Sequence, residues 1–236
     1  MSVGLPHTRK VTVATELRMV GDRAQFLVRT DEPAYRRVLA ELMFAEEDDA
    51  FVRSFRPDAP GLHQSYLRFK LTLDDVLAQG AGRRLPPWDE ALDAVAARLA
   101  VARCDWFLAG SAALAVRGID IVPRDLDLVV ADASAALRAL GDIQIEPVTL
   151  NRPGAWIARW FGRGFLHARV EWVAGVDPAV DVYSAPNEFG PTAAAGLETV
   201  RWNDHELALT PLDIQLAVTE RRGLAARAET IRDFLP

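Results

Sequence analysis

The chain has one cysteine, two lysines and four histidines in 236 residues, and each scarcity excludes something. A solitary Cys104 rules out an intramolecular disulfide and a cysteine-based zinc site. It directly precedes an apolar segment, so it reads as a small core residue rather than a nucleophile. His7, His63, His167 and His205 show no metal-ligand spacing, and no G-x-x-x-x-G-K-[ST] phosphate loop is present, which disfavours a P-loop ATPase. No apolar run approaches transmembrane length, and residues 1–30 lack a hydrophobic signal core; a cytoplasmic protein is expected. Apart from Lys10 and Lys70 the basic residues are all arginine, and the net charge is −6. Nothing there attracts nucleic acid globally, and no Lys/Arg run does so locally, so an RNA substrate would need an arginine patch.

Half of the residues are apolar and a quarter charged, enough for one large or two small domains with a buried core. Val11 to Leu17 and Ala24 to Arg29 read as strands joined by Gly21-Asp22. Glu32-Pro33 opens a helical pattern running to Met43, and the acidic run Glu46-Glu47-Asp48-Asp49 reads as its solvated end. A second helical pattern covers Leu62 to Leu77. The stretch Gln79 to Pro87 has the composition of a linker. These features predict an N-terminal α+β module over 1–82 and a second domain over 83–236.

The second domain carries the chemistry. Trp88 to Val101 is an amphipathic helix with Leu92, Val95, Ala96 and Leu99 on one stripe. Trp106-Phe107-Leu108-Ala109 is an apolar strand ending in Gly110-Ser111 at the mouth of a helix, and Asp125-Leu126-Asp127-Leu128-Val129-Val130 is a strand with two carboxylates at spacing two. Strand residues i and i+2 share a face about 7 Å apart, so Asp125 and Asp127 point together while Leu126 and Leu128 point to the core. Two adjacent acids repel, and a divalent metal with oxygen ligands is the usual counter-charge. Gly110 permits close backbone approach, and the helix beginning at Ser111 offers free N–H groups to an anion such as a phosphate. A phosphate seat beside a metal seat is the layout of phosphoryl or nucleotidyl transfer.

Asp132 or Ser134 can cap a helix over Ala135 to Leu140. Ala155 to Phe161 and Leu166 to Ala174 read as a hairpin around Gly162-Arg163-Gly164, which is no dinucleotide fingerprint because no helix follows. Thr210-Pro211-Leu212-Asp213 reads as a capped helix start, with final helices over Pro211 to Arg221 and Ala225 to Leu235.

The order apolar-Gly-Ser, helix, Asp-apolar-Asp-apolar resembles the signature of the nucleotidyltransferase superfamily with the DNA polymerase beta fold. Small members of that superfamily include antibiotic nucleotidyltransferases and toxins of bacterial toxin–antitoxin pairs. The resemblance runs from about Pro86 to Pro236 in element order, and residue by residue only at Gly110-Ser111 and Asp125/Asp127. It implies an α+β fold with an α/β core: a short mixed sheet flanked by helices, a smaller N-terminal α+β module and C-terminal helices. It also implies a third carboxylate on a neighbouring strand, for which Glu171 in Ala168-Arg169-Val170-Glu171 is preferred and Asp181 in Ala179-Val180-Asp181 is the alternative.

In that family, Asp125, Asp127 and the third acid would hold Mg²⁺ or Mn²⁺. Gly110 and Ser111 would hold the terminal phosphates of an NTP, ATP first among the options, and attack at the α-phosphorus would release pyrophosphate. Relatives place a basic residue on the helix after the core; here Arg221, Arg222 or Arg227 stands in that region, with no lysine. The acceptor hydroxyl could belong to a small molecule, a protein or an RNA end. The alternative is a non-catalytic module of the same fold that binds a nucleotide or a partner protein, with the N-terminal part as the interaction surface.

Overall fold

A computed structural model describes residues 13–181 and 186–235, which divide into two compact units. The first comprises residues up to 59 together with 73–84, and the second comprises 60–72 together with 85 onward.

In the first unit, β1 (Val13–Val20) and β2 (Arg23–Thr30) form the expected hairpin, with Gly21 at φ +56° in the turn. Positions 11 and 12 of the expected first strand lie outside the described residues. Phe26 and Val28 of β2 are buried, and Phe26 meets Phe55 with ring centroids 4.7 Å apart. Helix α1 (Pro33–Glu41) starts as expected. The Glu32 carboxylate accepts the Ala34 N–H at 3.2 Å, and Pro33 occupies the first turn, where its missing N–H costs nothing.

The acidic run is not a helix end. Ala45–Glu47 is a strand, β3, and Asp48-Asp49 turns the chain into β4 (Ala50–Phe55), with Asp48 at φ +49°. Asp tolerates that left-handed conformation better than most residues, which makes acidic residues suitable for a tight turn. The four strands are antiparallel in the order β1-β2-β4-β3. Helix α2 (Leu62–Gly80) ends where a Cβ on Gly80 would stand 2.7 Å from Val38 Cγ1 of α1.

The second unit is built on a seven-stranded mixed sheet. Its elements are α3 (Trp88–Val101), β5 (Trp106–Ala109), α4 (Gly110–Val116), β6 (Asp125–Val130), α5 (Ala133–Leu140), β7 (Thr149–Leu150), β8 (Ala158–Leu166), β9 (Ala168–Val176), α6 (Pro191–Ala195), β10 (Glu198–Trp202), β11 (His205–Leu209), α7 (Leu212–Arg221) and α8 (Ala225–Phe234). The strand order is β10-β11-β5-β6-β9-β8-β7, with β6 parallel to β9 and β11 parallel to β5. The protein is thus α+β, with a smaller N-terminal unit and helices at its C-terminal end, as expected. No helix among the described residues is long and apolar enough to cross a membrane.

Alternation along the strands sorts the sheet's two faces. Leu126, Leu128 and Val130 of β6 and Val170 and Trp172 of β9 pack under Leu92, Val95 and Leu99 of α3 and Ala136 and Leu140 of α5. The residues between them point the other way: Val129, Val173, Phe107 and Phe161 form a second, smaller cluster. Asp125, Asp127, Arg169 and Glu171 share that second face.

Two expected details differ. Gly162-Arg163-Gly164 is no hairpin tip; β8 runs straight through it, and the chain turns at His167, at φ +61°. A Cβ on Gly162 would stand 2.2 Å from the Trp172 ring, and one on Gly164 2.9 Å from Ile143, so the glycines make room for core side chains. Thr210 does not cap the last helix pair either. Pro211 occupies the N-cap position, and Thr210 donates its hydroxyl to the Glu188 carbonyl at 2.9 Å.

Candidate active site

The site lies on the face of the sheet that α3 and α5 leave uncovered. In the parallel ladder Asp125 pairs with Arg169 and Asp127 with Glu171, so these four side chains emerge side by side. Glu171 is therefore the acid next to the Asp125/Asp127 pair. Asp181 is elsewhere: residues 178–181 form a short 3₁₀ turn rather than the expected strand, whose residues 182 and 183 lie outside the described residues. The Asp181 carboxylate accepts the Asn187 and Thr192 N–H groups, both at 2.8 Å. Burial opposes its charge, but those bonds hold its carboxyl below the ordinary range.

Arginines interleave with the acids. Arg169 is bonded to Asp125 and forms an ion pair with Glu171 at 3.3 Å, while Arg163 donates to the same Glu171 oxygen at 2.7 Å. Arg163 also donates to both oxygens of Glu146 at 3.2 Å; Arg163 and Glu146 are each 3% exposed. Burial works against the charge of Arg169, yet Asp125 and Glu171 outweigh it and raise its pKa further.

Asp127 has no ion pair among the described residues. Burial, then the charges of Asp125, Glu171 and Glu188, push its carboxyl well above the usual range. Its carboxylate lies against the turn between β5 and α4, where Gly110 has φ +63°. That peptide is tied on both sides: its N–H donates to Glu188 at 3.1 Å, and its carbonyl accepts from the Gln215 amide at 2.8 Å. Ser111 is buried in the first turn of α4. Arg117, at the other end of α4, donates to Glu198, Gln215 and the Thr210 carbonyl, locking the helix to the C-terminal elements.

The C-terminal arginines converge on the same place from outside. Arg222 pairs with Glu188 at 3.3 Å while remaining 62% exposed on its side chain, and Arg221 donates to the Pro186 carbonyl at 2.8 Å. Arg227 also acts on Glu188 electrostatically; burial, the dominant influence, nevertheless raises the Glu188 pKa.

Sequence reasoning missed Glu188, Gln215, Arg163 and Arg169. Arg169 could have been found, since it sits two residues before Glu171 and must share its face. Glu188 and Gln215 lie in segments with no motif, brought in only by tertiary structure. Cys104 is buried, and burial raises its thiol pKa, as a core residue should show.

No set of three or more His, Cys, Asp or Glu side chains among the described residues is arranged to hold a metal ion; Asp125 and Glu171 share the Arg169 guanidinium instead. The donor chemistry still suits a hard divalent cation. All three acids offer oxygen, they share one face, and Asp127 has no ion pair among the described residues.

No family model and no curated protein sequence matches the chain. Among solved structures, it is similar to a candidate nucleotidyltransferase from Thermotoga maritima, at 16% identity and a TM-score of 0.46, over 63% of this chain and 92% of that one.

Proposed function

We propose that the second unit is a metal-dependent nucleotidyltransferase, moving a nucleoside monophosphate from an NTP to a hydroxyl acceptor. The observation that carries this reading is the register of β6 against β9, which sets Asp125, Asp127 and Glu171 side by side and next to Gly110.

In this reading the three acids hold Mg²⁺ or Mn²⁺, which when bound supplies positive charge for the phosphates. Gly110 and Ser111 receive the terminal phosphates, with Glu188 giving up its bond to the Gly110 N–H. Arg221 and Arg222, already at that edge, offer cationic side chains to the same phosphates. The acceptor oxygen forms a bond to the α-phosphorus, the bond to the β-phosphate oxygen breaks, and pyrophosphate leaves. Glu171 is positioned beside Asp127 to take the hydroxyl proton. We place the reaction in the cytoplasm, with ATP as the first NTP to test and a small molecule, protein or RNA end as acceptor. The first unit would be the surface for a partner.

A second reading is favoured by the arginine and glutamate contacts themselves: Arg169 satisfies Asp125 and Glu171, and Glu188 satisfies the Gly110 N–H, as they would in a non-catalytic module. The deciding experiment offers each α-labelled NTP with Mg²⁺ or Mn²⁺ to pools of RNA, protein and small polyols, and reads label transfer and pyrophosphate. Transfer lost in Asp125→Asn/Asp127→Asn supports the enzyme. Calorimetric NTP binding without transfer supports a nucleotide-binding module, and no binding of any NTP overturns both the enzyme and the nucleotide-binding module, leaving only a module that binds a partner protein.

A further inference from the structure

The two arginines on the acidic face do different jobs. Arg163 and Glu146 have side chains only 4% exposed, so their pair is sealed inside the protein, and from there Arg163 also donates to Glu171 at 2.7 Å. Arg169, Asp125 and Glu171 have side chains 19%, 18% and 20% exposed, at a face that solvent reaches. The Arg169 guanidinium links an oxygen of β6 to an oxygen of β9. Those two carboxylates are among the acids that would hold a divalent ion in the reading above.

The charge balance with Arg169 in place is incomplete. Two guanidinium groups, those of Arg169 and Arg163, serve the four carboxyl groups of Asp125, Asp127, Glu171 and the buried Glu146. Asp127, against Gly110, has no ion pair among the described residues. An ion of charge two in place of the Arg169 guanidinium would bring one more positive charge to these carboxyl groups.

We propose that Arg169 is an internal counter-cation that competes with a divalent metal for Asp125 and Glu171, so that metal binding requires the guanidinium to leave and exposes it to the substrate side of the sheet. This rests on the metal-dependent reading above and adds a residue outside the acid triad. Arg169 keeps the two strands together while the acids lack a metal, and sets the threshold metal concentration for loading them. Lysine cannot replace it fully, because an ammonium cannot span two carboxylates as the planar fork does.

The test is Mn²⁺ binding to the full chain without nucleotide, read by the electron-spin signal of free Mn²⁺, with melting temperatures measured in chelator and in saturating Mn²⁺. The proteins are wild type, Arg169→Gln, Arg169→Lys and Asp125→Asn/Asp127→Asn. The expected result is a dissociation constant at least tenfold lower in Arg169→Gln than in wild type, with Arg169→Lys in between. Arg169→Gln should melt lower than wild type in chelator and recover in Mn²⁺.

If wild type binds Mn²⁺ and Arg169→Gln binds it equally or more weakly, the competition is refuted while the metal-dependent reading stands. Should Arg169→Gln not fold, Arg169→Lys decides: affinity no tighter than wild type overturns the proposal. If neither wild type nor the folded Arg169 variants bind Mn²⁺ above the Asp125→Asn/Asp127→Asn background, both the proposal and the metal-dependent reading fail.

Discussion

Gly110 and Asp127 are in direct contact: a Cβ on residue 110 would stand 2.2 Å from Asp127 Oδ2, and Gly110 itself has φ +63°. The two short motifs of the sequence are therefore one packing unit, each limiting what the other can be.

Gly110→Ala should thus be costly twice over, through a left-handed backbone and through collision with Asp127. A loss of about 2 kcal/mol or more is expected in urea denaturation. Asp127→Ala in the same chain removes the collision but not the backbone strain. A double-mutant cycle should show that the two losses are not additive; additive losses would mean the contact is absent.

Glu171→Gln should leave the fold intact and lower nucleotidyl transfer by about 10²–10⁴, the scale for a positioned acid or base. Asp181→Asn should leave the catalytic step of transfer almost untouched. The reverse pattern in single-turnover assays would reassign the third acid.

Asp181 makes a separate prediction about pH. Its folded-state pKa is lowered, so its contribution to stability is present above the ordinary aspartate value and is lost as pH falls through the folded value. Asp181→Asn should cost about 1 kcal/mol at neutral pH, modest because solvent reaches the group. Melting curves of variant and wild type should converge as pH falls from about 5 towards 3; a gap constant with pH would show that the charge is not what matters.

Gly162→Ala would drive a methyl group into the Trp172 indole, which is 1% exposed and cannot retreat. The expected loss is about 1–3 kcal/mol, with altered tryptophan fluorescence in the folded state. An unchanged denaturation midpoint would contradict the packing.

What could be read from the sequence was whatever alternation or helical periodicity encodes locally. Helix α3 spans the expected Trp88–Val101, and the spacing of Asp125 and Asp127 against Leu126 and Leu128 sorted the faces of β6 correctly. Gly162-Arg163-Gly164 misled because glycines usually mark turns, whereas here they accommodate Trp172 and Ile143, side chains distant in sequence. Glu46 to Asp49 misled for the opposite reason: a charge run looks like a solvated helix end, yet two of its residues form a turn between strands. The hairpin of β10 and β11 was missed altogether. Its outward residues, such as Glu206 and Arg201, give no strong signal, and its inward Leu207 and Leu209 acquire meaning only beside β5.

The peptide of Gly110 is closed by Glu188 and Gln215, 78 and 105 residues further along the chain. During synthesis from the N-terminus, Glu188 follows soon after the strand bearing Glu171, whereas Gln215 is made only with α7. Closing loops of that length carries an entropic cost that local contacts do not meet, so this corner belongs to the slow, non-local part of folding. The last tie on that peptide therefore waits for α7, whose Gln215 is the later of its two partners along the chain.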